Sequence, residues 1–379
     1  MINFALLGCG RIAKRHADIL GTGQVAGARL VAVCDTDAGR AGLFADRHGV
    51  AAFTSLDEMM RSSKEHIDVV CVLTPSGAHA EHSIAVARHG RHVVVEKPMA
   101  LRLSDADRMI AACKENGVQL FIVKQNRFNL PVRELRSALE AGRFGKLVLG
   151  SVRVRWCRPQ SYYDQDAWRG TWAHDGGVFA NQASHHVDLL EWMMGGVESV
   201  FAKSTRASAR IEAEDTGIVV VKFRNGALGT IEATTAVRPA DLEGSLSVIG
   251  EKGSVEIAGF AVNQLRTWKF ADDPEGAGAE MLARLSENPP NVYGLGHVRF
   301  LESVVASLRD GAPIAVDGVA GRRSLELITA IYESIESGRE VTLPFEASHC
   351  KLGRPDGGAK ASGAAGSTAP EAALRRVRG

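Results

Sequence analysis

Phe4-Ala5-Leu6-Leu7-Gly8-Cys9-Gly10-Arg11-Ile12-Ala13 decides the fold. Its first four residues read as a buried strand, and Gly8-x-Gly10-x-x-Ala13 as the turn that leads into a helix. Glycine in such a turn lets backbone N–H groups approach a pyrophosphate, and the helix N-terminus adds partial positive charge. A second apolar run, Leu30-Val31-Ala32-Val33-Cys34, ends in Asp35. An acid there accepts hydrogen bonds from an adenine-ribose diol and repels a 2′-phosphate, which favours NAD over NADP. A Gly-x-Gly-x-x-Ala alone is a weak signal; strand, glycine turn, helix, strand and acid in that order are specific. Gly8, Gly10, Arg11, Ile12 and Asp35 are therefore the first expected cofactor contacts.

The first half alternates strands and helices, the pattern of a doubly covered parallel sheet. Strands are expected at 51–53, 67–73, 93–95 and 120–123, with helices at 38–48 and 104–116 and helix starts after Ser55 and Thr74-Pro75-Ser76-Gly77. Ligands of open parallel sheets bind beyond the carboxyl ends of the strands. Thr74, Ser76 and His79, then Glu96 and Lys97, then Gln125 and Arg127 lie at such ends, where turn residues also simply meet solvent. Near residue 146 the grammar changes to period-2 alternation. Strands are expected at 146–156, 197–206, 216–224, 227–235, 246–249 and 254–257, with Asn225-Gly226 a hairpin signal. Helices are expected at 293–310 and 319–338, able to return to the first domain. The organisation expected is an α/β chain: a Rossmann domain (1–125), an α+β domain with a largely antiparallel open sheet (126–345), and a disordered Gly/Ala/Ser/Arg-rich tail (346–379).

Composition excludes several classes. Lys plus Arg number 45 and Asp plus Glu 44, so no global field recruits nucleic acid or an anionic membrane. No apolar run reaches the roughly 18 residues of a membrane span. A core strand at the very start leaves no signal peptide expected, and six cysteines without Cys-x-x-Cys spacing fit a reducing compartment. A cytoplasmic protein is expected. Histidines 16, 48, 66, 89 and 92 show no metal-ligand spacing, so no metal is expected.

The glycine turn, Glu96-Lys97-Pro98 and the run from Asp175-Gly176-Gly177 to His185-His186-Val187-Asp188 together resemble the Gfo/Idh/MocA oxidoreductases. The resemblance covers roughly residues 1–345. It implies a Rossmann domain joined to an α+β domain whose open sheet builds dimers or tetramers. Residues 124–129, Tyr162-Tyr163-Asp164-Gln165, Trp168-Arg169-Gly170 and Asn181-Gln182-x-x-His185 look most like the UDP-N-acetyl-glucosaminuronate 3-dehydrogenases of that family, which serve lipopolysaccharide sugar synthesis. Trp168 and Arg169 resemble a loop that reaches over nicotinamide.

A histidine on a rigid element beside nicotinamide can take a hydroxyl proton as hydride leaves carbon, and an ammonium beside the same hydroxyl stabilises developing oxygen charge. His185 and Lys97 are the expected catalytic pair. On a helix Asn181, His185 and Asp188 fall at i, i+4 and i+7, and Trp192 extends that face. Family members commonly carry Asp where Asn181 stands, and an amide cannot stabilise an imidazolium by charge; Asp188 either compensates or braces the helix. Arg155, Arg158, Tyr162 and Tyr163 are candidates for a uronate carboxylate or diphosphate. The substrate contacts expected are Lys97, Arg127, Arg158, Tyr163, Asn181 and His185. The main expectation is oxidation of a sugar nucleotide at C3; an inositol or free-hexose dehydrogenase and a non-catalytic NAD-binding sensor are the alternatives.

Overall fold

The computed structural model describes residues 1–286 and 295–354. In the first part, strands β1 (Ile2–Leu7), β2 (Ala28–Cys34), β3 (Ala51–Phe53), β4 (Val69–Val72), β5 (His92–Val95) and β6 (Leu120–Ile122) alternate with helices α1 (Arg11–Gly21), α2 (Ala38–His48), α3 (Leu56–Ser62), α4 (His79–Arg88) and α5 (Leu103–Glu115). The sheet runs β3-β2-β1-β4-β5-β6, and every pair is parallel. Asp37 and Ser55 cap α2 and α3 by accepting from the main-chain N–H groups of Arg40 and Glu58. Strand order reverses between β1 and β4, so the turns after those strands border the crevice where such sheets bind ligands.

The second part contains α6 (Leu130–Glu140), β7 (Leu147–Arg155), α7 (Gln160–Tyr163), α8 (Ser184–Met194), β8 (Val197–Thr205), β9 (Thr216–Phe223), β10 (Leu228–Thr234), β11 (Glu243–Gly250), β12 (Gly253–Ala258), β13 (Gln264–Phe270), α9 (Ala277–Leu285), α10 (Gly296–Asp310), α11 (Gly318–Ser337) and β14 (Val341–Thr342). Its eight-stranded sheet runs β13-β12-β11-β7-β10-β9-β8-β14. Only β7 and β10 pair in parallel. One face buries Val152, Val154, Val219 and Ile231 under Leu189, Leu190 and Met193 of α8 and Leu327, Ile328 and Ile331 of α11. On the other, Phe201, Ile218, Val220 and Leu228 remain 39–60% exposed.

The two helices expected to be able to return to the first domain do so, and one other expectation is corrected. Phe300, Leu301, Val304 and Val305 of α10 join Phe4, Leu6, Leu30 and Phe121 in one core, and Ala320 and Leu325 of α11 join the other face of the first sheet. The chain thus returns to its first domain before β14. The expected disorder from 346 is corrected for residues 346–354. Main-chain N–H groups of Ser348, His349 and Cys350 donate to Glu333 Oε2 at 3.1, 2.8 and 2.8 Å, and Cys350 and Leu352 are buried. These two apolar anchors and the Glu333 contacts hold a stretch that precedes the Gly/Ala-rich run of the sequence. Residues 355–379, and the expected helix start at 293, lie outside the described residues. Among the described residues no helix is long and apolar enough to cross a membrane.

Candidate active site

The turn after β1 is shaped for close approach. Gly8 has φ +101°, and a Cβ there would lie 2.9 Å from the main chain of Leu73. A Cβ on Gly10 would meet nothing within 4 Å, so the space before α1 is open. That helix has no side-chain cap and no acid in its first turn, which leaves its positive end for an anion. Asp35, after β2, accepts from Cys9 N at 2.8 Å and Asp37 N at 2.9 Å, which fixes its carboxylate beside the turn. These features fit a dinucleotide with a free ribose diol.

A loop of the second part faces this turn. Arg11 donates to the Gln165 side chain and lies 5.7 Å from the Tyr162 ring. Arg169 stacks at 4.7 Å over both Tyr162 and Trp168, and donates to Asp166 and the Tyr162 hydroxyl at 2.8 Å. An open cleft of about 680 Å³ beside it is lined by Tyr163, Arg169, Arg206, Arg210 and Glu212, among others.

Lys97 follows β5, Gln125 follows β6, and His185 stands in the first turn of α8. Lys97 Nζ donates to Asn181 at its main-chain oxygen (3.1 Å) and Oδ1 (3.3 Å). Asn181 Nδ2 in turn donates to Asp175 Oδ1, and Asp175 Oδ2 accepts from Gly170 N at 2.8 Å. Gln125 Nε2 lies 2.9 Å from His185 Nε2. The amide therefore donates, Nε2 accepts, and the ring proton sits on Nδ1.

Local sequence explains this arrangement. Gly176 has φ +79°, and a Cβ on Gly177 would fall 2.2 Å from Glu214 Oε2; neither position tolerates a side chain. Residues Val178–Gln182 then form a single π-helical turn, a form common at functional sites. The Tyr332 hydroxyl accepts from Gly177 N (3.1 Å) and Ala180 N (3.2 Å) and donates to Glu214 Oε1 (2.9 Å). Asn181 consequently precedes α8 rather than sharing a helical face with His185 and Asp188, a correction to the spacing argument.

Burial sets the charges. His185 is held well below the ordinary histidine value, first by desolvation and then by Lys97 and Lys124, so it is a neutral acceptor at neutral pH. Desolvation also lowers Lys97, while Glu96 and Asp175 oppose it. Desolvation lifts Asp175 to about 6 and Glu214 to about 7.

Several expected contacts are committed elsewhere. Arg127, 6% exposed, forks onto Asp188 at 2.8 Å through both Nε and Nη2; it braces α8 and is not offered to substrate, and Asp188 is a brace as well. His79 has both ring nitrogens 2.8 Å from main-chain oxygens of Thr74 and Pro98, so it ties two loops together instead of presenting itself to cofactor. Glu96 Oε1 receives His16 at 3.0 Å and His297 at 3.4 Å, and Oε2 accepts from Lys97 N; its carboxylate is committed to these buried partners. The Tyr163 hydroxyl bonds Thr235 at 2.8 Å, and its ring is buried. Arg158 bonds Gln182 (2.9 Å) and Asp241 (2.8 Å) but remains part-exposed beside Tyr162. Arg155 pairs with Glu232 and Glu243 on the open sheet face. Thr74 bonds His82 at 2.9 Å, and Ser76 is buried in the 3₁₀ turn before α4. Ile12 and Trp168 are half-buried. Sequence reasoning missed Asp175, Lys124, Glu214, Tyr332 and the buried His16–Glu96–His297 trio. Of these, only Asp175, set against Gly176-Gly177, carried a local signal.

Comparison with known proteins agrees with this fold. Residues 2–124 match the model of the Gfo/Idh/MocA oxidoreductase family's NAD-binding Rossmann fold, and residues 136–343 match that of its C-terminal alpha/beta domain. The structure is similar to the WlbA dehydrogenase of Bordetella pertussis, solved with NADH and UDP-GlcNAcA: 44% identity, TM-score 0.85, covering 91% of this chain and 98% of that one. The Chromobacterium violaceum WlbA complex with the same two ligands gives 42% identity and TM-score 0.84, covering 91% and 96%. Myo-inositol 2-dehydrogenase of Thermotoga maritima is 31% identical over 353 residues, 90% of this chain and 98% of that protein.

Proposed function

The chain belongs to the Gfo/Idh/MocA oxidoreductase family, an NAD-dependent sugar dehydrogenase by its two domains, and on that footing we propose that it oxidises C3 of a UDP-linked N-acetyl-glucosaminuronate. The observation that carries this reading is that Lys97, after β5, lies near enough to the neutral His185 of α8 for its charge to act on that ring. The WlbA complexes, at 42% and 44% identity, support the sugar nucleotide.

NAD, when bound, supplies the hydride acceptor, held by the turn at Gly8 and Gly10 and by Asp35. His185 Nε2, which accepts from the Gln125 amide until the substrate hydroxyl takes that amide's place, receives the hydroxyl proton as hydride leaves the substrate carbon, and a carbonyl forms. Lys97 donates to the same oxygen and stabilises the charge that develops on it. Gln125 fixes the tautomer; Asn181 holds Lys97. Arg158 and the cleft at Arg206 and Arg210 support recognition of a carboxylate and diphosphate, and binding energy from that remote part orients the sugar. The apolar patch of Phe201, Ile218, Val220 and Leu228 supports a homodimer or tetramer built through the open sheet. A place in cytoplasmic lipopolysaccharide sugar synthesis follows from the same reading. NADH formation with the UDP-hexuronate, and none without it, tests the proposal.

A further inference from the structure

The geometry points to Asp175 as a positioning residue that supplies, through the Asn181 amide, negative charge to Lys97 beside that of Glu96. This rests on the dehydrogenase reading above and deepens it. Lys97, Asn181 and Asp175 form one line: ammonium, amide, carboxylate. Only one orientation of the amide serves both neighbours, Oδ1 toward the ammonium and Nδ2 toward the carboxylate. Gln182 Nε2 also donates to Oδ1 at 3.2 Å, which reinforces that orientation. The Asp175 carboxylate is 2% exposed and is held from behind by Gly170 N. An amide polarised between opposite charges transmits part of the carboxylate's field. Asp175 thus does from one residue further out what an acid at position 181 would do directly.

The charges around Lys97 come from several elements. Glu96 precedes it in sequence, Asp175 lies on the loop before α8, and Lys124 follows β6; Arg169 comes from the loop over the cleft. His185 stands across the site and becomes cationic when it takes a proton. Two anions thus face two cations and a third cation forms in turnover, so loss of Asp175 leaves the pair over-positive. Removing that anion lowers the proton affinity of Lys97, which then deprotonates at lower pH.

Competitive labelling of Lys97 by acetic anhydride across a pH series, read by mass spectrometry on the full chain, tests this without any substrate. Lys97 is half-buried. In Asp175→Asn, which keeps an acceptor for Gly170 N, the labelling midpoint falls by about one pH unit. In the double variant Asp175→Asn with Asn181→Asp, which moves the carboxylate inward, the midpoint returns to or above the wild-type value. An unmoved midpoint in the single variant, or no return in the double, overturns the proposal. Should Asp175→Asn fail to fold, Asp175→Ser with and without Asn181→Asp gives the same comparison. With a turning-over substrate, kcat falls about tenfold or more in the single variant and recovers in the double; a merely structural role for Asp175 gives no recovery. A wild type inactive on UDP-sugars sinks the substrate reading alone, since the labelling result stands apart from it.

Discussion

Arg127 and Asp188 meet as a buried fork, each of two guanidinium nitrogens 2.8 Å from its own carboxylate oxygen. Burial alone would raise the Asp188 carboxyl; Arg127 and Lys124 bring it down to about 2. Trp192 lies under the same guanidinium at 4.6 Å. The pair ties the segment after β6 to α8, the helix that carries His185. Arg127→Leu leaves Asp188 charged and short of its partner, at a cost of about 3–5 kcal/mol. Urea unfolding should show that loss, and a variant as stable as wild type would remove the bracing role.

Lys97→Ala and His185→Ala should each lower turnover ~100- to 10,000-fold with NAD affinity, measured by titration, nearly intact. Losses under about tenfold would sink these roles. Because His185 is depressed below its ordinary value, kcat/KM for oxidation should stay flat through neutral pH. The limb set by His185 itself should appear only below the usual histidine range, while a partial loss near pH 6 belongs to protonation of Asp175.

Asp35 carries the cofactor preference. Replacing Asp35 with Ser and Thr36 with Arg removes the carboxylate that repels a 2′-phosphate and brings a partner for it. The ratio of kcat/KM for NAD to that for NADP should fall sharply. A wild type that already prefers NADP would contradict the reading of this turn.

Glu214 gives a pH signature in stability. Its carboxyl rises from the ordinary 4.5 to about 7 in the fold, chiefly through burial. The folded chain therefore holds a proton that the unfolded chain has released between those values. That contribution is whole below 4.5 and is lost as pH rises through about 7. Compared with Glu214→Gln, wild type should lose about 3 kcal/mol of relative stability across that window, read as a falling difference in Tm. A constant difference would show that Glu214 stays ionised throughout.

The fold was legible because its signals are local. Residues 4–13 pack strand, turn and helix into one stretch, and Asn225-Gly226 marks the β9–β10 hairpin. Pro131 concealed α6, since proline in a helix's first turn removes only an N–H with no partner there. β14, two residues long, has no periodicity to read. At the site, Lys97, Gln125 and His185 could be located from strand ends and spacing. What Arg127, His79 and Glu96 do could not, because a charged or polar side chain at a strand end reads alike whether it faces ligand or a partner far away in sequence. Asp188, Pro98, His16 and His297 are such partners. Glu214 and Tyr332, separated by 118 residues, meet only in the folded chain.

The substrate is the central claim, and one assay reaches it directly. Purified protein is mixed with NAD and, in parallel, with UDP-N-acetyl-glucosaminuronate, myo-inositol and glucose, and absorbance in the reduced-nicotinamide band is followed. The account predicts NADH formation with the UDP-sugar, a 3-keto product by NMR, and competitive inhibition by UDP alone. Ready oxidation of myo-inositol or glucose with no response to the UDP-sugar would contradict it.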